Sequence, residues 1–293
     1  MKLLEKILVA TDFSQSSGYA VQTAQALAKA FGSEIILIHV IPKVPDSLVN
    51  LRTVRMAIRE RLYDLSGELT KAGVRAVETV VEVGVAFDRI IRVSERLDVN
   101  AIVVGSGDRA EGGAGHLGVT PERLARKASK PVLVAKAGAT PVFKRILCAV
   151  DLSDPSRRAL ANAVHLARTF QAELAVLHVA ESLPELYLTA ATIASEAQSK
   201  YQRQERRAFA AFLEAFDFTD VIWTKTVRQG GAPQEILNYV REWSADLLIM
   251  GSVGRTGLSR ILLGSVAGKV LREMPCSVIT VKSERARTGD APT

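Results

Sequence analysis

The stretch Lys6-Ile7-Leu8-Val9-Ala10-Thr11-Asp12-Phe13-Ser14 returns 139 residues later as Arg145-Ile146-Leu147-Cys148-Ala149-Val150-Asp151-Leu152-Ser153. Each version is a short apolar run, too short for a helix, that ends on Asp-x-Ser. The correspondence continues without gaps through Ala24/Ala163, Leu27/Leu166, Ala28/Ala167, Phe31/Phe170 and Glu34/Glu173, and closes on His39-Val40 over His178-Val179. A second register, shifted by 146, sets Gly84 on Gly230, Ala86 on Ala232, Ile90 on Ile236, Gly105-Ser106 on Gly251-Ser252, Gly118 on Gly264 and Arg126 on Arg272. The difference between the shifts is an insertion of seven residues in the second copy. Chance would not hold register over both blocks, so the chain is a duplicated domain. The copies are expected at 1–138 and 142–283. Between them lies Ala137-Gly138-Ala139-Thr140-Pro141, a short linker with Gly and Pro breakers. The copies must therefore lie close together. Residues 284–293 carry almost no apolar content and are expected to be a disordered tail.

Within the first copy, strand-like runs alternate with helical patterns. Strands are expected at 7–10, 35–40, 78–83, 101–104 and 132–134. Helices are expected over 17–31, with apolar residues at Ala20, Ala24, Leu27, Ala28 and Phe31, and over 52–71 and 87–96. A last helix to Ala128 should open at Thr120-Pro121, with Thr120 as its N-cap. Near-continuous apolar strands separated by helices imply a parallel sheet covered on both faces. In such sheets ligands bind beyond the C-terminal strand ends, where strand order reverses. The residues after the first and fourth strands are therefore the place to look for chemistry. The long second helices, 52–71 and 195–216, lie where the copies differ most and are expected to be mobile and to carry copy-specific contacts, with an ordinary sheet-covering helix as the alternative.

Composition fits this reading. The chain has 293 residues, 48% hydrophobic and 24% charged, as expected of two globular domains. The net charge of +7 is spread over both copies with no Lys/Arg run, which favours an ordinary mixed-charge surface over a nucleic-acid site. Cys148 and Cys276 sit in apolar runs without metal spacing, and read as small buried hydrophobes rather than a disulfide or ligand pair. No metal site is expected. No apolar stretch is long enough to span a membrane and the N-terminus has no signal-peptide core, so a cytoplasmic location is the expectation.

The chemistry concentrates in one loop. After the fourth strand of the second copy the sequence reads Met250-Gly251-Ser252-Val253-Gly254-Arg255, and reaches Gly264-Ser265 nine residues after Gly254. Glycines let backbone N–H groups approach an anion, and the helix opened by Gly264-Ser265-Val266 offers unpaired N–H groups and a positive dipole end. Ser265 could cap that helix or bond a phosphate, and Arg255 could neutralise phosphate charge. A glycine loop that merely turns and packs is the alternative. A P-loop is excluded by spacing.

The pattern Gly251-x2-Gly254-x9-Gly264-Ser265 resembles the ATP-binding signature of universal stress proteins, as do both Asp-terminated opening strands and the His-Val strand endings. The resemblance implies two tandem Rossmann-like domains of the adenine nucleotide α-hydrolase type. Each would be an α/β unit with a five-stranded parallel sheet of order 3-2-1-4-5. It further implies ATP, with Mg²⁺, held between strands one and four, and pairing of the domains through their fifth strands as an intramolecular pseudo-dimer, with a homodimer of chains left open. Carried over by position, Ala149, Val150, Asp151 and Val179 would border the adenosine, and Met250 and Gly251 would floor the nucleotide. Gly254, Gly264, Ser265 and Val266 would hold the phosphates. An Asx-type turn is the alternative role for Asp151, and packing is the expected role of His39 and His178.

The first copy departs from this pattern. It keeps Asp12, Val40, Gly105 and Gly118, but Asp108 stands where the second glycine should be and Val119 replaces the serine. A carboxylate about 4 Å from a phosphate costs on the order of 4 kcal/mol at an effective dielectric of about 20, more than several neutral hydrogen bonds return at about 1 kcal/mol each. One nucleotide per chain, in the second copy, is expected. No triad or paired carboxylates accompany the loop, so binding is favoured over turnover. A slow ATPase, an adenylate-using enzyme, and a nucleotide-independent scaffold or nucleic-acid partner stay open as alternatives.

Overall fold

The computed structural model describes residues 4–45, 50–107, 117–180, 191–253 and 263–282, with 191–197 described by backbone alone. The first half runs β1 (Lys6–Ala10), α1 (Gln15–Phe31), β2 (Glu34–Ile41), α2 (Leu51–Lys71), β3 (Val77–Val83), α3 (Ala86–Arg96), β4 (Ala101–Gly105), α4 (Val119–Lys127) and β5 (Val132–Ala135). The second repeats it as β6 (Arg145–Val150), α5 (Asp154–Phe170), β7 (Glu173–Ala180), α6 (Ala191–Leu213), β8 (Trp223–Gln229), α7 (Ala232–Trp243), β9 (Leu247–Gly251), α8 (Ser265–Glu273) and β10 (Ser277–Val281).

Strand order is β3-β2-β1-β4-β5-β10-β9-β6-β7-β8, a single ten-stranded sheet. Each half therefore has the expected 3-2-1-4-5 order, parallel throughout. The two five-stranded sheets fuse at one antiparallel junction, where Val278 faces Val134, Ile279 faces Leu133 and Thr280 faces Val132. A parallel sheet's outer strand leaves a row of unpaired N–H and C=O groups, and here each fifth strand covers the other. Lys136 secures the seam: its N–H donates to Ser277 Oγ at 3.2 Å and its Nζ to the Pro275 carbonyl at 2.8 Å. Phe31 stacks on His165, with ring centroids 5.4 Å apart, and meets Phe170 edge-on at 6.0 Å.

The period of two along each central strand divides the apolar residues between two cores. Ile7 and Val9 face the side covered by α1, α2, α5 and α6; Leu8 and Ala10 face the side covered by α3, α4, α7 and α8. Helix entry follows local chemistry. Ser14 caps α1 by accepting from the Ser17 N–H, and Ser153 caps α5 by accepting from Ser156. The expected Thr120 cap is not found. Gly118 is the N-cap of α4, without a side-chain hydrogen bond, and Val119 is the first helical residue. The backbone explains this: the Gly118 N–H is drawn to the Ser106 carbonyl at 2.7 Å, which closes the loop and starts the helix earlier. Both cysteines are buried and free, and burial pushes the Cys276 thiol up to about 12. Among the described residues no helix is long and apolar enough to cross a membrane.

Candidate functional site

At the C-terminal ends of β6 and β9 a cleft of about 300 Å³ opens where strand order reverses. Its walls include four separated segments: Ala149, Val150 and Asp151 at the end of β6; Leu177, His178 and Val179 in β7; Met250 to Val253 at the end of β9; and Gly264 to Ala267 at the start of α8. The structure thus brings together Ala149, Val150, Asp151, Val179, Met250, Gly251, Gly264, Ser265 and Val266. Gly254 and Arg255 lie outside the described residues, as does Asp108 of the first copy.

Helix α8 aims its N-terminus at the cleft. Its N-cap, Gly264, makes no side-chain capping bond, and Ser265 is the first helical residue. Of the two roles open to Ser265, capping is therefore not the one it plays; its exposed hydroxyl stands beside N–H groups that no side chain of the cap satisfies. The Gly264 N–H donates to the Ser252 carbonyl at 2.7 Å, the same closure seen between Gly118 and Ser106. Asp151 accepts from the Ser153 N–H at 3.1 Å and from its hydroxyl at 2.5 Å. It forms an Asx turn and also lines the cleft, so its two readings coexist.

The halves diverge at the second residue of the helix after the first strand. In the first half Ser16 occupies it, and its Oγ accepts from the Gly107 N–H at 2.9 Å and lies 3.5 Å from Ser106 Oγ. Loop and helix are tied together so closely that a Cβ added to Gly105 would sit 2.4 Å from the Ser16 carbonyl oxygen. In the second half the corresponding residue is Pro155, which has no side-chain acceptor. The Val253 N–H is not tied down through that position, and a Cβ on Gly251 would meet Pro155 Cβ at 3.1 Å. Ser252, fully buried, is left with an Oγ that has no hydrogen-bond partner among the described residues. A buried hydroxyl without a partner costs free energy unless something supplies one, and Ser252 lines the cleft.

Sequence reasoning missed two further walls. Tyr201 and Glu205 reach the cleft from α6, and Ala232 and Ile236 from α7. Nothing in the local sequence signals Tyr201 and Glu205, because the insertion in the second copy breaks the register there; Ala232 and Ile236 keep the register of Ala86 and Ile90 but carry no polar group that marks a site. His178 is packed, as expected, but it is also engaged: its Nδ1–H donates to the Val150 carbonyl at 2.9 Å and its Nε2 lies 2.8 Å from Glu205 Oε2. Since the carbonyl can only accept, one proton is shared between Nε2 and the carboxylate. The first half differs. His39 contacts the Thr11 carbonyl at 2.9 Å and stacks on Phe13, with Arg61 over the same ring. Burial first, and Arg61 also, hold the His39 pKa below its usual value, against the opposing pull of the Thr11 carbonyl and Asp12. Asp12 lies below its usual range because the Ser14 and Ser17 hydrogen bonds outweigh its burial. Val119 at the head of α4 is half exposed and has no hydroxyl to offer. Among the described residues no group of three His, Cys, Asp or Glu could hold a metal ion.

Comparison with known proteins gives the same picture twice over. The model of the universal stress protein family matches residues 4–136 and again 143–282. Universal stress protein YxiE of Bacillus subtilis is 33% identical over 149 residues, which is 48% of this chain and 100% of that protein. Universal stress protein MJ0531 of Methanocaldococcus jannaschii is 30% identical over 144 residues, 49% of this chain and 85% of that protein. A universal stress protein from Archaeoglobus fulgidus superposes with a TM-score of 0.73 at 23% identity, covering 94% of this chain and 98% of that one. This last likeness is one of fold, and it extends over both halves.

Proposed function

The chain belongs to the universal stress protein family along both of its halves, and from that premise we propose that it acts by binding an adenine nucleotide, ATP with Mg²⁺, in the cleft of its second half. The observation that carries this is the exchange of Ser16 for Pro155. It leaves a buried hydroxyl, Ser252 Oγ, without a partner among the described residues, beside a helix N-terminus that has no side-chain cap. The residues present suit the group. The N-terminus of α8 and the Ser265 hydroxyl would take phosphate oxygens. Ala149, Val150, Val179 and Met250 give an apolar bed of the kind that accepts a base and ribose. Mg²⁺ usually keeps phosphate and water oxygens with one or two carboxylates, and Asp151 is the carboxylate on that side of the cleft. The nucleotide would supply the charge that the site reads; the chain's own part is to bind, orient and enclose it.

The first half is read as a degenerate copy. Its loop N–H is already satisfied by Ser16, Val119 replaces the serine, and Asp108 adds negative charge. Calorimetric titration of the intact chain with MgATP should give about one site. Pro155→Ser should weaken it about fivefold to tenfold, because an intramolecular bond worth about 1 kcal/mol then competes with the ligand. Two equal sites, or a nucleotide held only by the first half, would overturn the reading.

A further inference from the structure

A second cavity of about 500 Å³ lies elsewhere, between α1 and α2 of the first half. Its apolar lining is made by Phe13, Val21, Leu65 and Leu69. Among the described residues, the interface between α5 and α6 of the second half is packed by large apolar side chains. There Phe209, Phe212 and Leu213 fill the interface, and the Arg157 guanidinium lies over the Phe212 ring at 5.0 Å. In the register of the repeat, Arg157 stands where the first half has Gly18, and Ala161 and Val164 stand where it has Gln22 and Gln25. A Cβ placed on Gly18 meets nothing within 4 Å. The same fold thus packs this interface in one copy and leaves it open in the other, with polar groups around the opening.

Arg61 and Glu68 both line the cavity and stand seven residues apart on α2. At 1.5 Å per residue their backbones are about 10 Å apart, and neither forms an ion pair among the described residues. Arg61 rests on the Phe13 ring, 3.9 Å from its centre, which holds one charge beside the apolar lining. From α1, Gln22 and Gln25 add amide donors and acceptors along the opposite wall.

We propose that this groove is a binding site for a short zwitterionic amphiphile, with an anionic group at Arg61, a cationic group at Glu68 and an apolar body over Val21, Leu65 and Leu69. A tripeptide with free termini is the simplest molecule of that span, since three extended residues reach about 10 Å. Its amides match Gln22 and Gln25. The site is separate from the nucleotide cleft and stands or falls independently of it.

The test is a titration of the intact chain with alanyl-leucyl-alanine, followed by amide NMR shifts. Saturable binding with shifts confined to α1 and α2 is expected. N-acetylation or C-amidation of the peptide should each weaken it about tenfold. Arg61→Gln should cancel the advantage of the free carboxylate, and Glu68→Gln that of the free amine. Gly18→Leu, which fills the cavity and improves helix propensity, should abolish binding while the melting temperature holds or rises. Absence of saturation at millimolar peptide, equal binding of doubly blocked peptide, or full binding by a folded Gly18→Leu protein would overturn the proposal.

Discussion

Glycine at the end of the fourth strand has unequal standing in the two copies. At Gly105 a Cβ would fall 2.4 Å from a backbone oxygen, whereas at Gly251 the nearest atom, Pro155 Cβ, is 3.1 Å away. Overpacking costs about 1–3 kcal/mol when neighbours cannot yield, so Gly105→Ala should lose at least about 2 kcal/mol in urea denaturation and Gly251→Ala less than about 1 kcal/mol. His178 allows a matching test. Glu205→Gln can still donate to Nε2, but Glu205→Leu leaves that nitrogen buried without a partner. The leucine variant should therefore be less stable by about 1–3 kcal/mol, and the glutamine variant close to wild type. Two other histidines set a pH dependence. Burial lowers the pKa of His39, and burial with Arg168 lowers that of His165. Both folded values lie below the ordinary 6.5, so the folded chain holds fewer protons than the unfolded one. Their contribution is complete above the unfolded pKa and is lost as pH falls toward the folded value. Unfolding free energy should drop between about pH 7 and about pH 5, with a shallower slope in the His39→Gln, His165→Gln double variant.

Among the elements, α1 and α5 show how the local sequence was enough. Asp-x-Ser directs both helix starts: the aspartate folds back on the serine, and the serine caps the helix. Ser14→Ala and Ser153→Ala should each cost about 1 kcal/mol of stability, measurable as a shift in denaturation midpoint with unchanged slope. Helix α4 shows where local chemistry was overruled. Thr120-Pro121 is a sound start signal, yet the backbone bond from Gly118 to Ser106 fixes the entry two residues earlier. That bond joins loop ends a dozen residues apart and has no local sequence mark. Helices α2 and α6 make different contacts, α2 lining a groove and α6 placing the Phe212 ring under Arg157 of α5.

In the whole molecule the seam between β5 and β10 makes one sheet of two. Cohesion across it comes from the strand pairing, Lys136, and the contacts of Phe31 with His165 and Phe170. The chain should accordingly melt in a single calorimetric transition. Leu133→Pro removes a backbone donor from what is now a central strand, and should split the transition into two.

Repetition, strand and helix order, the parallel sheet and the glycine loop were all written in the sequence, because each depends on residue type at short spacing or on an internal match. Nine of the residues that line the second-half cleft were named from the sequence as well, carried over by position through the family resemblance of the glycine loop and the strand endings. Only the folded chain decided the rest. The Ser16/Pro155 exchange acquires meaning when α1 and α5 are seen against β4 and β9, a contact across about ninety residues. Glu205 and Tyr201 reach the cleft from a helix whose register was lost to an insertion. The open groove beside Gly18 exists because two helices in one copy do not fill a space that aromatic side chains fill in the other. Such features are properties of packed surfaces, and no local pattern encodes how two distant surfaces meet.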